Sequence, residues 1–278
     1  MFIGKMLKAM VESVFYPLKN FIGLVVPFIM TLAMFVIVGL TAIHFNLDAM
    51  IAGSFGDSHM AILINLGLLF LLVLVLAPLI VSIIRHVVVS EKMDAFVLKH
   101  LFSGRELKLV MSIALLFAIL FLPLLVTMVV LHVMFIPPGC TETMSCMGNM
   151  SMSMLLFGSL LVLGALYGFY MFSRGIFVLV EDALDRDGGF RRSFKMTKGH
   201  GLALMLGFMV FSYIMIFVLL KVMVLLGITF SASDLQSLHA MSLWDKTLLI
   251  TIILSVRLFF TVIVVAFIAK VYVLLAGR

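Results

Sequence analysis

Six long apolar runs decide what this chain can fold into. They occupy residues 21–43, 60–84, 107–135, 154–180, 202–230 and 247–275. A helix rises about 1.5 Å per residue, so about 20 apolar residues cross the hydrocarbon of a bilayer. Every run is long enough. A lone strand in lipid would leave its amides and carbonyls without partners, and the strands of a membrane barrel are about ten residues long with alternating polarity. These runs are longer and do not alternate, so they are predicted to be helices. Of the 278 residues, 64% are hydrophobic and 12% are charged, against about 25% charged in a soluble domain. Such a chain has too little polar surface to coat a water-soluble fold. The expected fold class is all-α integral membrane, as a single domain over 1–278.

The net charge of +6 does not imply nucleic acid here. The basic residues flank the apolar runs, where topology and anionic headgroups account for them. The N-terminal segment carries Lys5, Lys8 and Lys19. The connection after the second run carries Lys92, Lys99, Arg105 and Lys108, with Arg85 at the end of the run. The connection after the fourth carries Arg186, Arg191, Arg192, Lys195 and Lys198, with Arg174 at its run's end; Lys270 and Arg278 follow at the C-terminus. The other three connections hold Lys246 alone, and Lys221 and Arg257 lie inside runs, so sixteen of the 19 Lys and Arg fall on one side. Positive residues stay inside, which predicts a multi-pass protein with both termini cytoplasmic. The first run starts near Phe21, is too long for a signal h-region and precedes no small-residue cleavage site, so no cleavable signal peptide is expected.

The chain also reads as three hairpin units, about 1–88, 89–180 and 181–278, each with an amphipathic segment, an outward run, an outer connection and an inward run. The inward runs end alike: RHVVVSE from Arg85, RGIFVLVE from Arg174 and KVYVLLAG from Lys270. A basic side chain at this depth can lay its stem in hydrocarbon and lift its charge to the headgroups, so three convergent helix ends are the alternative to a repeat. In the first amphipathic segment, Phe2, Ile3, Met6, Leu7, Met10, Val14 and Phe15 recur at helical spacing, with Lys5, Lys8 and Glu12 on another face. The segments around 95–101 and 184–196 are shorter. Helices of this kind either lie in the membrane interface or cap the bundle from below.

The stretch VEDALDRDGGFRRSFKMTKGHGLALMLG contains Glu181, then Arg192 and Ser193, then Thr197, Lys198 and Gly199 at the entry to the fifth run. It resembles the signature of a broad group of bacterial multi-helix membrane proteins, similar to the membrane domain attached to some glycerophosphodiester phosphodiesterases. RHVVVSEKMDAFVLKHLFSGRELKLV resembles a second copy, with Glu91 and then Ser103, Gly104 and Arg105, although Glu91 to Gly104 is 13 residues and Glu181 to Gly199 is 18. The resemblance implies the six-span plan. It brings no catalysis, because no phosphodiesterase domain accompanies the spans. Gly199 and Gly201 are expected to ease the bend into the fifth run, and Ser193 and Thr197 to cap helix ends.

Residues that bear chemistry are sparse. Lys221 and Arg257 lie in the outer halves of the fifth and sixth runs, and no Asp or Glu lies within a run as bounded above. A charge at that depth costs about 3 kcal/mol on insertion scales and usually marks function. The pair is a candidate anion site, with Arg257 as a bidentate fork and Lys221 as a point charge. The alternative is that both snorkel outward, or bond to carbonyls, Asp234 or Asp245. The outer connection CTETMSCMGNMSMSM holds Cys140 and Cys146 with Met144, Met147, Met150, Met152 and Met154. Two cysteines facing an oxidising compartment most simply form a disulfide. Thiolates and thioethers, with His44, His59, His132 or His239, would instead suit Cu(I), and the two uses compete for the same sulfur. Pro27, Pro78 and Pro123 either kink their helices or shape packing. Gly164 and Gly168 invite close approach of a helix from this chain or another copy. His200 is expected as an isolated residue at the headgroups. The chain contains no phosphate loop, zinc-protease motif or nucleophile elbow.

These readings lead to a non-enzymatic, lipid-associated or scaffolding protein without a cofactor. Its expected partners are membrane lipids, anionic headgroups on the cytoplasmic side, and a second copy or another membrane protein. Arg85, Arg174, Lys270, Arg191 and Arg192 are its interfacial basic residues. The alternatives are a transporter or channel for a small anion or lipid headgroup using Lys221 and Arg257, and an outward-facing Cu(I)-binding protein.

Overall fold

A computed structural model describes residues 2–51, 58–93, 103–135, 150–186, 189–225 and 243–277. Among these the chain forms ten helices and no strand: α1 (Phe2–Val14), α2 (Tyr16–Lys19), α3 (Phe21–Ile51), α4 (Ser58–Val89), α5 (Gly104–Phe135), α6 (Met150–Gly175), α7 (Val178–Ala183), α8 (Gly189–Met196), α9 (Gly201–Leu225) and α10 (Leu243–Ala276). Six stretches, one in each of α3, α4, α5, α9 and α10 and one covering α6 and α7, are long and apolar enough to cross a membrane. Many of their large apolar side chains face outward, including Ile22, Phe121, Leu125, Tyr213 and Leu220. Lipid accommodates such a surface where water would not.

The helices bury most at one end of the bundle, here called the basal end. It gathers α1, α2, α7 and α8, the C-terminal halves of α4 and α10, and the N-terminal halves of α5 and α9. Its core runs from Leu79, Ile83 and Ile84 on α4 through Phe177 and Val180 to Phe208 and Phe211 on α9 and Phe267 and Tyr272 on α10. The Phe211 and Phe267 rings lie 4.2 Å apart, centre to centre. Such tilted ring pairs add to the area they bury.

Close helix contacts are made through glycine. A Cβ on Gly168 would lie 2.5 Å from the Leu120 carbonyl oxygen, and one on Gly164 would lie 2.7 Å from Thr127 Oγ1. The small-residue pair of α6 therefore packs on α5 of the same chain. A Cβ on Gly207 of α9 would overlap the Met6 side chain of α1.

Two boundaries differ from the sequence reading. The fourth run, expected to be continuous over 154–180, breaks after Gly175, and α7 starts at Val178. The break is held by α8. Ser193 Oγ donates to the Arg174 carbonyl in the last turn of α6. A Gly175 Cβ would lie 3.0 Å from Leu116 Cδ2 and 3.3 Å from the Phe190 ring, so a larger residue would press on both. The spans also reach further at the basal end, taking in Glu106 on one side and Glu181 and Asp182 on another. Pro27, Pro78 and Pro123 sit inside α3, α4 and α5. Thr31 and Thr127 donate to the carbonyls of Pro27 and Pro123 at 2.8 Å and 2.7 Å.

Candidate functional site in the basal layer

The basal end collects almost all the polar chemistry of the described structure. Arg174, at the end of α6, spans the gap to α8. Its Nη2 donates to the Phe194 carbonyl at 2.8 Å, its Nε to Thr197 Oγ1 at 3.2 Å and its Nη1 to Tyr170 Oη at 3.3 Å. Its guanidinium also faces the Phe194 ring, 5.0 Å from the centre. Thr197 donates to the Ser193 carbonyl. The chain then turns through Gly199 at φ +83° into α9, a left-handed backbone that favours glycine. Gly201 does not share that role: it has an ordinary φ and packs against the Tyr170 ring.

Three carboxylates are buried in the same layer. Glu181 accepts from Tyr272 Oη at 2.6 Å and pairs with Arg192 Nε at 3.3 Å, while Arg186 donates to the same Tyr272 hydroxyl. Asp182 faces Lys108 Nζ at 3.8 Å and has Ser112 as a hydrogen-bond partner. Glu106, on the first turn of α5, lies 3.5 Å from Arg105 Nε. Among the described residues each keeps one buried oxygen without a hydrogen-bond partner: Glu181 Oε2, Asp182 Oδ2 and Glu106 Oε2. Leaving such atoms unmade costs about 1–3 kcal/mol each. Asp185, with a φ of +54°, sits between Arg85 and Arg105 at 4.0 Å and 3.7 Å.

A second group joins the start of the chain to α4 and α10. Lys270 Nζ donates to Glu12 Oε2 at 3.1 Å, which holds the Glu12 carboxyl below its ordinary range. Arg85 Nε donates to Glu91 at 2.5 Å. His86 lies between the Glu91 carbonyl at 2.9 Å and Asn20 Oδ1 at 3.1 Å. Burial pushes the Tyr16 phenol well above its usual value. His200 stacks on Phe2 with ring centres 4.7 Å apart, so it links α1 to the start of α9.

The basic residues read from the sequence thus separate into two sets. Arg85, Arg174, Lys270 and Arg192 have partners within the protein, whereas Arg191 is exposed. Lys221 and Arg257 are both exposed on the outer surface of their helices, with Lys221 Nζ 5.6 Å from the centre of the Phe217 ring. Among the described residues no hydrogen bond or ion pair joins the two side chains to each other. Cys140, Cys146, Met144, Met147 and His239 lie outside the described set, as do the side chains of Met150, Met152, Met154, His44, His59 and His132 and the segment at 95–101. The disulfide and Cu(I) expectations fall there.

Sequence reasoning missed Glu106 and Asp182 as buried acids. Their signal was position: each stands within a turn of an apolar run that a strict hydropathy boundary cuts short. By fold the chain is a multi-pass helical protein with six helices able to cross a membrane. No protein-family model, curated protein or solved structure matches it.

Proposed function

We propose that the chain is a non-enzymatic multi-pass protein of a bacterial inner membrane, with both termini cytoplasmic. Its basal layer sits among the anionic headgroups of the cytoplasmic leaflet as a lipid-associated scaffold. The division of α1 into three faces carries this reading. Phe2, Met6, Ala9, Met10 and Ser13 are buried against the bundle. Ile3, Leu7, Val11 and Val14 form a second face and are exposed. Lys5, Lys8 and Glu12 form the third. At 100° per residue each stripe takes roughly a third of the circumference. A cap hanging in water would expose the second face at a cost; a helix lying in the interface gives that face to acyl chains and the lysines to headgroups. The exposed apolar surface continues through Phe15, Leu18, Phe21 and Ile22 into the first span.

The exposed Lys19, Lys92, Arg191, Lys195 and Lys198 extend the basic rim. Each such charge near an anionic surface contributes about 1 kcal/mol. The threefold plan draws support from the three inward spans, whose terminal bases each hold a piece of this layer: Arg85 holds Glu91, Arg174 holds α8 and Lys270 holds α1. Melting the protein in phosphatidylglycerol vesicles and in phosphatidylcholine vesicles tests the reading. A higher melting temperature in the anionic vesicles, with the difference shrinking in high salt, is expected. Equal melting temperatures would contradict it.

A further inference from the structure

The passage from α2 to α3 opens a cleft of about 630 Å³ against the end of α4. Lys19 and Lys92 both line it and are exposed, and among the described residues no carboxylate side chain lines it. Among the described residues neither lysine is held in an ion pair. His86 forms part of the wall. Asn20 Nδ2 donates to the Tyr16 carbonyl, which turns Asn20 Oδ1 toward His86 Nε2, while His86 Nδ1 faces the Glu91 carbonyl. Both ring nitrogens thus face oxygens, which fixes the ring as part of the wall. The Glu91 carboxylate, which would otherwise compete, is turned away onto Arg85. The N-terminus of the 31-residue α3 completes the wall and adds its partial positive charge.

The mouth of the cleft is apolar. Leu18, Phe21 and Ile22 are 65%, 64% and 92% exposed, at the point where the chain enters its first span. Two exposed ammonium groups beside a strip of exposed hydrocarbon match an amphiphile with an anionic head. Resting on the membrane placement proposed above, we infer that this cleft binds one anionic glycerophospholipid. Its phosphate lies between Lys19 and Lys92, and its acyl chains run along Leu18, Phe21 and Ile22. The basal layer would then hold a lipid at a fixed site as well as touching the leaflet in general. The second cleft, of about 390 Å³, has Lys5, Lys8 and Lys270 but also Glu12, whose carboxylate occupies Lys270. It is the less favourable seat and supplies a control.

The test uses the full chain in neutral detergent with phosphatidylglycerol added, and counts retained lipids by native mass spectrometry. One phosphatidylglycerol is expected to survive activation that strips phosphatidylcholine. Lys19→Gln with Lys92→Gln should bind it about 30-fold more weakly, while Lys5→Gln with Lys8→Gln should keep it. Both lysine pairs are exposed, so unchanged melting in phosphatidylcholine serves as the folding check. Equal retention by both double variants would overturn the site, yet leave the vesicle-melting difference intact if the broader reading holds. Protection by glycerol 3-phosphate alone, at the concentration at which phosphatidylglycerol protects, would also overturn it, because the acyl strip would then contribute nothing.

Discussion

Glu181 shows how much the basal layer asks of single residues. Its carboxylate receives the Tyr272 hydroxyl and pairs with Arg192, yet it is fully buried and leaves Oε2 unbonded. Replacing it with alanine removes the acceptor from a buried phenol and opens a void. Glu181→Ala is expected to lower unfolding stability by about 1–3 kcal/mol. Arg192→Gln, at the half-exposed end of the same pair, should cost under about 1 kcal/mol. Denaturant titration of both variants in one detergent checks the contrast, and equal losses would mean that Glu181 is not buried as described. The resemblance pointed to Glu181 only as the acidic residue ahead of a short helix, and said nothing of its burial. Arg174 was legible as a basic residue at a helix end, and snorkelling was the natural expectation. What periodicity could not supply was the Phe194 carbonyl brought alongside it from twenty residues later, which turns a headgroup ligand into a brace for α8.

Among the elements, α1 is held most conditionally. It docks through Met6 against Gly207, through Phe2 on His200 and through the Glu12–Lys270 pair. Lys270 keeps the Glu12 carboxyl ionised to lower pH than in the free chain, whose ordinary value is 4.5. The pair's stabilisation is therefore complete above that value and is lost as pH falls through the lower, folded one. Wild type should melt above Glu12→Gln at pH 7, and the gap should close below pH 4.5. The side chain is 42% exposed, so the gap should be small, on the scale of the about 0–1 kcal/mol of a surface pair. A gap that widens on acidification would contradict the docking. The sequence pattern made α1 readable as a helix with an apolar side and a charged side. It could not divide the apolar side into a docked stripe and an exposed one, because Met6 and Leu7 look alike until Gly207 gives one of them a socket.

At the scale of the molecule, six spans followed from length and composition alone, since lipid forces helices on any apolar run of that size. The boundaries were less legible. Hydropathy stops at the first charge, whereas Glu181 and Asp182 are carried inside by partners from other helices, and Glu106 is buried beside its neighbour Arg105. The break after Gly175 was hidden for a related reason, because α8 rather than local sequence holds it. The proposed orientation sets the basal end toward the cytoplasm and the connection carrying Cys140 and Cys146 away from it. These are the only two cysteines in the chain, so no engineering is needed to ask which side they occupy. Spheroplasts treated with a membrane-impermeant reductant and then a membrane-impermeant maleimide should be labelled without lysis. Labelling that appears only after the membrane is opened would contradict the orientation, and with it the placement of every basic residue in the cytoplasmic leaflet.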